Sequence, residues 1–190
     1  MRWRVSSHSL TFMGKHAFNQ LYIALKPSSD EATTLSARVC AWAKSQGIKC
    51  QAFPSNKIPA KLNKKALCLV LGGDGTFLAA ARTMHAHKVP LAGINLGNLG
   101  FLTELNCNEL EQTLNQLVHP KCQTEQRLVG QVTHLRKGKK LHQAPFINEA
   151  ALTRGADDHL IHYTINVGKK PMTTAPVSYT HLRAHETDSY

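Results

Sequence analysis

Acidic and aromatic residues are scarce in this 190-residue sequence. Asp and Glu number 12 against 23 Lys and Arg, which gives a formal net charge of +11, and Phe, Trp and Tyr make up 6% of the chain. This charge indicates acidic partners, either nucleic acid or phosphate-bearing substrates such as polyphosphates and dinucleotides. Proteins that bind single-stranded nucleic acid place aromatic side chains among the basic ones, and this sequence shows no such interleaving. We therefore expect phosphate-bearing small molecules, and no nucleic acid, as partners.

Long apolar runs and paired cysteine motifs are also missing. No apolar run approaches the ~18 residues of a membrane span, and the polar residues after Arg4 argue against a secretion signal. The five cysteines include no Cys-x-x-Cys pair, which argues against a zinc site and favours reduced thiols. The sequence therefore predicts a cytoplasmic protein with no membrane partner and no metal site built from its own side chains.

One stretch organises the chain. The apolar residues Leu67 to Leu71 run directly into Gly72-Gly73-Asp74-Gly75-Thr76, and a helical pattern follows from Phe77. A continuous apolar run that ends at glycines is typical of a strand buried on both faces. Glycines let the backbone approach a ligand, and the N–H groups of such a turn bind phosphate oxygens. We therefore predict a nucleotide-binding turn with four contributing residues, which are Gly72, Gly73, Gly75 and Thr76.

Asp74 is the unusual residue of this turn. Between Ala32 and Thr103 the sequence contains nine Lys or Arg residues (38, 44, 49, 57, 61, 64, 65, 82 and 88), and Asp74 is the single acid. A tight turn that happens to contain Asp-Gly is the simpler interpretation. A carboxylate in a phosphate-binding loop repels the ligand, however, so it needs a chemical role such as accepting a hydroxyl proton or holding a metal ion. We predict that Asp74 is catalytic.

The order of the predicted elements indicates the fold class. Strands and helices alternate along the first part of the chain: strand 18–26, helix 31–46 ended by Gly47, strand 48–53, strand 67–71, a helix, strand 89–95 and helix 108–118. This pattern predicts an α/β protein with a Rossmann-like parallel sheet and right-handed crossovers. We expect residues 1–17 to form a loose arm, with Met13 as an alternative start, and residues 18–120 to form the α/β domain.

A second glycine-rich turn follows the strand at 89–95. It reads Leu96-Gly97-Asn98-Leu99-Gly100-Phe101-Leu102-Thr103. Ligands of open α/β sheets bind beyond the carboxyl ends of the strands, and both glycine turns lie at such ends. We therefore expect the two turns to lie side by side around one crevice.

The pattern changes after residue 120. Residues 127–134, 140–149 and 159–167 are extended, with turns at 136–139 and 168–170, which predicts a separate all-β region of the β-sandwich type over residues 121–175. Asn148 and Glu149 stand in this region. Such a pair often faces solvent, but its hydrogen-bonding groups also suit the recognition of ribose hydroxyls and a base edge.

Taken together, these motifs resemble the ordered motifs of bacterial NAD kinases. The resemblance rests on the Gly-Gly-Asp-Gly-Thr turn at 72–76, the turn at 93–103 and the Asn148-Glu149 pair, and it covers about residues 18–171. It implies phosphorylation of the 2′-hydroxyl of the adenosine ribose of NAD to give NADP, with ATP or polyphosphate as donor and a divalent metal ion of the Mg²⁺ type. Lipid kinases of the diacylglycerol and sphingosine type share the first motif and are the alternative, followed by a non-catalytic protein that binds nucleic acid through its charge.

The resemblance also implies roles for individual residues. Asp74 corresponds to the proton acceptor, and Gly75, Phe101, Asn148 and Glu149 correspond to contacts with NAD. His159 lies at the spacing of a further NAD contact, without a distinctive motif around it. The resemblance further implies a homo-oligomer for the intact enzyme.

The end of the sequence departs from this family. The later Asp-Gly and the Thr-Pro-Thr-Gly-Ser-Thr-Ala-Tyr-like segment of NAD kinases are missing, and the residues from Pro176 continue no earlier pattern. We interpret residues 176–190 as a non-native tail and the chain as an N-terminal fragment with a truncated β domain. We expect such a fragment to bind NAD weakly and to turn over little or not at all.

Overall fold

The computed structural model describes residues 18–57, 59, 61–97, 100–103, 105–107, 109–153, 161–177 and 179–183. Two compact units divide between Gln126 and Arg127. His159, one of the predicted NAD contacts, lies outside the described residues.

The first unit is an α/β layer structure built on a parallel sheet. Its elements in chain order are β1 (Gln20–Leu25), α1 (Asp30–Ser45), β2 (Lys49–Pro54), β3 (Ala66–Leu71), α2 (Asp74–Met84), β4 (Leu91–Asn95), β5 (Leu105–Asn106) and α3 (Leu110–Leu117). The five strands pair in the order β2-β1-β3-β4-β5, and every pair is parallel. The predicted Rossmann-like α/β fold is confirmed.

Alternate residues of each strand point to opposite faces of the sheet, and this alternation gives the unit a hydrophobic core on each face. In β3 all six residues are buried. Leu67, Leu69 and Leu71 pack on one face with residues of α1 and α3, whereas Cys68 and Val70 pack on the other face with residues of α2. Because both faces are covered by helices, β3 is apolar at every position, as a central parallel strand requires. Each fully buried Leu or Val contributes about 1.5–3 kcal/mol to the free energy of unfolding.

Helix α1 shows how local sequence sets an element's ends. The Ser29 side chain accepts a hydrogen bond from the N–H of Ala32 at 3.2 Å and so caps the first turn. At the other end Gly47 has a φ of +71°, the left-handed conformation that commonly ends a helix. The predicted bounds of this helix are therefore confirmed to within a residue or two.

The cysteines depart from expectation at one pair. Cys40 of α1 and Cys50 of β2 form a disulfide, with their Cα atoms 5.4 Å apart. The prediction that all five thiols are reduced is wrong for these two. The disulfide depends on tertiary packing: α1 packs on the sheet beside β2, and this contact brings together two cysteines that no sequence motif connects. Cys68, Cys107 and Cys122 are free thiols.

The second unit consists of antiparallel strand pairs. Its strands are β6 (Gly130–Arg136), β7 (Lys139–Phe146), β8 (Glu149–Thr153), β9 (Ile161–Val167), β10 (Lys170–Val177) and β11 (Tyr179–Arg183). β6 pairs with β7, β8 with β11, and β9 with β10. The hairpin between β6 and β7 turns through Lys137 and Gly138, with φ values of +49° and +75°, as a type I′ turn requires. The predicted change from α/β to strands is confirmed.

One predicted strand of this unit is divided. Residues 140–149 were expected to form one strand, but β7 ends at Phe146 and β8 begins at Glu149. Asn148 lies between them with a φ of +69°. This left-handed conformation does not occur in a regular strand, and asparagine adopts it more readily than most residues do.

Within the described residues, no helix has the length and apolar character needed to cross a membrane.

Candidate active site

The candidate site lies at the carboxyl edge of the parallel sheet, where the strand order reverses. The chain runs from β1 outward to β2 and then returns past β1 to β3, so β1 and β3 flank the switch point. Open α/β sheets bind ligands in the crevice at this position. The N–H of Lys26, just after β1, donates to the carbonyl of Leu71 at 3.0 Å, and the N–H of Gly72 donates to the carbonyl of Ile94 at 3.0 Å. These bonds hold the start of the first glycine turn against β1 and β4.

The first glycine turn is tightly closed. Gly72 has a φ of +156°, and a Cβ at this position would lie 2.5 Å from Oγ1 of Thr76. A side chain at residue 72 would therefore displace Thr76. Gly73 has an extended backbone and precedes the first residue of α2. The helix begins at Asp74, earlier than the Phe77 that the sequence pattern predicted.

This early start changes the setting of Asp74. Its carboxylate lies in the first turn of α2, where the unpaired N–H groups and the helix dipole favour negative charge. The same N–H groups favour phosphate oxygens. The structure thus places the Asp74 carboxylate at the start of a helix, a position that favours negative charge.

The second glycine turn holds the Asp74 carboxylate directly. Oδ2 accepts a hydrogen bond from the N–H of Phe101 at 3.0 Å. Oδ1 accepts one from the N–H of Leu102 at 3.0 Å and another from the hydroxyl of Thr103 at 3.2 Å. These contacts join residues 27 to 29 positions apart in the sequence. The expectation that the two glycine turns lie side by side is met, and Asp74 is the residue that joins them.

These hydrogen bonds also set the protonation state of Asp74. Partial burial raises the pKa of the carboxyl, but the donors of Leu102, Phe101 and Thr103 together outweigh burial, and the net pKa lies below its ordinary value of 3.8. Hydrogen bonds donated to a carboxylate stabilise its charged form, which is the reason for the direction of the shift. Asp74 is therefore ionised at neutral pH.

Close packing around Gly100 makes this contact possible. A Cβ at Gly100 would overlap Oδ1 of Asp74 and would lie 2.7 Å from Oγ1 of Thr103. Gly93 of β4 has a similar constraint, because a Cβ there would lie 2.7 Å from Cγ2 of Thr103. Both positions need glycine because other groups approach the backbone closely, and not because of a positive φ.

Phe101 and Gly75 complete the near surroundings of the carboxylate. The Phe101 side chain is 92% exposed, although its own N–H is bonded to Asp74. An exposed aromatic ring beside a polar centre is a suitable surface for stacking a planar ligand. Gly75 is exposed and Thr76 is half-buried in the first turn of α2.

The remaining predicted site residues belong to the second unit. Asn148 and Glu149 are both exposed; Asn148 lies between β7 and β8, and Glu149 is the first residue of β8. The N–H of Glu149 donates to the carbonyl of Ile147 at 2.9 Å, which closes a tight turn around Asn148. Within the first unit the structure brings together Gly72, Gly73, Asp74, Gly75, Thr76 and Phe101.

Sequence reasoning missed two residues of this site, Thr103 and Asn95. Thr103 is fully buried and bonded to Asp74, and Asn95 at the end of β4 donates to Thr103 at 3.2 Å. Both lie at the limits of the second glycine turn. Polarity at the end of an otherwise apolar strand could have identified Asn95, and polarity directly after Phe101-Leu102 could have identified Thr103.

Among the described residues, no group of three or more His, Cys, Asp or Glu side chains stands close enough together to hold a metal ion. Asp74 is the single carboxylate that the described site offers near its anion-binding turn.

Comparison with known proteins agrees with the motifs. Residues 56–122 match the family model of the ATP-NAD kinase N-terminal domain. The NAD kinase of Nitratidesulfovibrio vulgaris (strain DP4) is 33% identical over 156 residues, covering 80% of this chain and 52% of that enzyme. The NAD kinase of Methylococcus capsulatus (strain ATCC 33009 / NCIMB 11132 / Bath) is 38% identical over 115 residues, covering 60% of this chain and 40% of that enzyme.

A solved structure has the same fold. It is yeast NADH kinase complexed with NADH, which matches with a TM-score of 0.68 and 18% identity, over 90% of this chain and 57% of that chain. The chain spans about half the length of the curated relatives it matches. The resemblance to bacterial NAD kinases is thereby confirmed over most of this chain.

Proposed function

We propose that the protein is an NAD kinase, which transfers a phosphoryl group from ATP or polyphosphate to the 2′-hydroxyl of the adenosine ribose of NAD. The observation that carries this proposal is the position of Asp74: one carboxylate in an anion-binding turn, held by the second glycine turn. The similarity to NAD kinases supports the choice of NAD as acceptor. The transfer forms the bond between O2′ and phosphorus, breaks the bond to the leaving phosphate oxygen, and passes the hydroxyl proton to Asp74.

The hydrogen bonds of Asp74 suggest which oxygen accepts this proton. Oδ1 receives one hydrogen bond from the N–H of Leu102 and one from the hydroxyl of Thr103, which match its two lone pairs, and the N–H of Thr103 further stabilises the charged carboxylate. Among the described residues Oδ2 receives one, from Phe101. Oδ2 therefore has room for a substrate hydroxyl, and we assign it as the proton acceptor.

A carboxylate with a lowered pKa is a weak base, and the proposed chemistry is compatible with that. In a loose phosphoryl-transfer transition state the nucleophile carries little negative charge, so its proton can leave late. Orienting the hydroxyl in line with the transferring phosphoryl group then contributes more than basicity does. The rigid hold on Asp74 supplies this orientation.

The phosphates of the donor suit the turn at residues 72–76. Its N–H groups and the start of α2 favour negative charge. Lys26, exposed at the switch point beside Gly72, adds positive charge at the same edge of the sheet.

A divalent ion is part of the proposal, with the donor's phosphates as its main ligands. The described residues offer no three-ligand cluster, which fits Mg²⁺, since this ion is commonly held by one or two carboxylates together with substrate phosphates and water. When bound, such an ion neutralises charge that develops on the transferring group. Asp74 is the carboxylate that would face it.

The remaining features of the proposal concern NAD and the whole enzyme. We propose that Phe101 stacks on the adenine portion, that Gly75 contacts NAD, and that Asn148, Glu149 and His159 bind its hydroxyl and amide groups. The homo-oligomeric state and the cytoplasmic location remain predictions.

The test is product formation by the purified chain. We would incubate it with Mg²⁺, NAD and either ATP or polyphosphate, and follow the phosphorus NMR signal of a 2′-phosphomonoester. The proposal predicts slow accumulation of NADP that requires both the donor and the metal ion. Parallel reactions with diacylglycerol and sphingosine identify the alternative. Phosphorylation of a lipid in place of NAD would overturn the proposal.

A further inference from the structure

We propose that Thr103 and Asn95 are positioning residues for Asp74: together they hold Oδ1 and thereby turn Oδ2 toward the acceptor hydroxyl. The inference rests on the proposed kinase function, and it adds two residues to the site. Neither side chain needs to touch the substrate for this role, because both act through the carboxylate.

The hydrogen-bond chain has one consistent direction. The N–H of Gly97 donates to Oδ1 of Asn95 at 2.7 Å, and a backbone N–H can only donate. The amide oxygen of Asn95 must therefore face Gly97, which leaves its NH₂ group to face Thr103 at 3.2 Å. Because Thr103 Oγ1 accepts this bond, its single proton is directed to Oδ1 of Asp74. The direction of the bonds thus follows from the donor at Gly97.

The side chains of Thr103 and Asn95 are both buried, so their polar groups need hydrogen-bond partners inside the protein. Thr103 is 0% and Asn95 8% exposed. A buried hydroxyl or amide is costly unless it is hydrogen-bonded, and the bonds described here meet that requirement. A valine of the same shape would fill the position of Thr103 without needing a hydrogen-bond partner. Packing alone therefore does not explain why the residue carries a hydroxyl.

Packing fixes the rotamer of Thr103 as well. A Cβ at Gly93 would lie 2.7 Å from Cγ2 of Thr103, so the methyl group sits against the bare backbone of β4. A β-branched side chain is already stiff about χ1. With the methyl group placed against Gly93, the hydroxyl is directed at the carboxylate.

The consequence for catalysis is a fixed carboxylate plane. With the hydroxyl present, Oδ1 receives two donors and the carboxylate cannot rotate without breaking them. Without it, only backbone N–H groups of the second glycine turn hold the carboxylate. Because misplacement by about 1 Å can cost ~100-fold in rate, we expect the hydroxyl to affect kcat far more than the KM for NAD.

Two substitutions at Thr103 separate the hydroxyl from the packing. Thr103→Val keeps the shape and removes the hydroxyl, whereas Thr103→Ser keeps the hydroxyl and removes the methyl group. Ser36→Ala is the matched control, since it removes another buried hydroxyl, one that bonds Thr33 within α1 at 2.7 Å.

The first readout is the pKa of Asp74, measured by carbon NMR of its carboxyl in each variant. In Thr103→Val we expect the pKa to rise, because the variant loses a hydrogen bond that stabilises the charged carboxylate. Thr103→Ser and Ser36→Ala should leave it unchanged. An unchanged pKa in a folded Thr103→Val protein would overturn the inference.

The second readout is the rate of NADP formation. We expect kcat to fall by about tenfold or more in Thr103→Val with the KM for NAD little changed, and to recover mostly in Thr103→Ser. Asn95→Ala in the Thr103→Val background should add little to the pKa shift, because Asn95 acts through the absent hydroxyl. A raised pKa with unchanged kcat would refute the positioning role, and independent additive effects of the two residues would refute the chain.

The two proposals fail differently. If the unsubstituted chain phosphorylates a lipid in place of NAD, the proposed function fails, and the positioning role for NAD phosphorylation fails with it. The pKa series would still show whether the hydrogen-bond chain exists. If NADP forms and Thr103→Val behaves like the unsubstituted chain, the function stands and this inference is wrong.

Discussion

Replacing Gly100 by alanine tests whether the second glycine turn must lie against Asp74. The added Cβ would overlap Oδ1 of Asp74 and lie 2.8 Å from its Cγ and 2.7 Å from Oγ1 of Thr103. Real Cβ contacts are essentially never shorter than 3.0 Å, so the carboxylate or the turn must move. Gly100 is not among the described glycines with a positive φ, and the effect is therefore steric and confined to this contact.

The size of the effect follows from the contacts that would be lost. Moving the carboxylate by roughly 1 Å would lower kcat by about 100-fold. Loss of one or two of the hydrogen bonds to Asp74 would lower the free energy of unfolding by about 1–3 kcal/mol. The lower half of that range is the better expectation, because Asp74 is partly solvated and water replaces part of the loss.

The assay pairs urea unfolding with NADP formation, and Gly97→Ala is the matched control. A Cβ at Gly97 would meet its nearest neighbour, Oδ1 of Asn95, at 4.0 Å, an ordinary contact in the same turn. The control should retain the Asp74 carboxyl shift in carbon NMR and unfold within about 0.5 kcal/mol of the unsubstituted chain. If Gly100→Ala matches Gly97→Ala in both assays, the close approach of the turn to Asp74 is refuted.

Three further predictions concern the helix cap, the thiols and acid stability. Ser29→Ala should lower the free energy of unfolding by about 1 kcal/mol, whereas Ser45→Ala in the same helix should change it little; equal effects in urea unfolding would contradict the cap. Burial raises the pKa of Cys68 to about 12, so a thiol reagent at pH 8 should modify Cys122 in the native protein and reach Cys68 only after unfolding; rapid native labelling of Cys68 would contradict its burial. Because the folded pKa of Asp74 lies below 3.8, its contribution to stability is present above that value and is lost as the pH falls through the folded pKa. The stability difference between the unsubstituted chain and Asp74→Asn should accordingly shrink below about pH 4, and a difference independent of pH would contradict the shift.

Local sequence patterns predict those parts of the fold that depend on local physics. Strand β3 was predictable because it is apolar at every position, and α1 because its period, its Ser29 cap and Gly47 agree. The two glycine turns were predictable for the same reason. The two turns were expected to lie close together because the carboxyl ends of parallel strands lie at one edge of the sheet.

The parts that could not be predicted depend on distant contacts or on very short segments. The hydroxyl of Thr103 reaches Asp74 across 29 residues, and Cys40 meets Cys50 through the packing of α1 on the sheet. Strand β5 has two residues, too few for any periodicity. The sequence pattern did not predict that α2 begins at Asp74, because the glycines on either side of Asp74 disfavour a helix. Gly73 nevertheless leads directly into the first turn of α2.

The most direct test of the account is turnover by Asp74→Asn compared with its affinity for NAD. The substitution keeps the size of the side chain, but the amide cannot accept the hydroxyl proton, so kcat should fall by about 100-fold or more, the typical contribution of a general base. The dissociation constant for NAD, measured by calorimetry on protein shown to be folded, should change by no more than a few-fold. A variant that forms NADP at a rate within a few-fold of the unsubstituted chain would contradict the central claim that Asp74 is the proton acceptor.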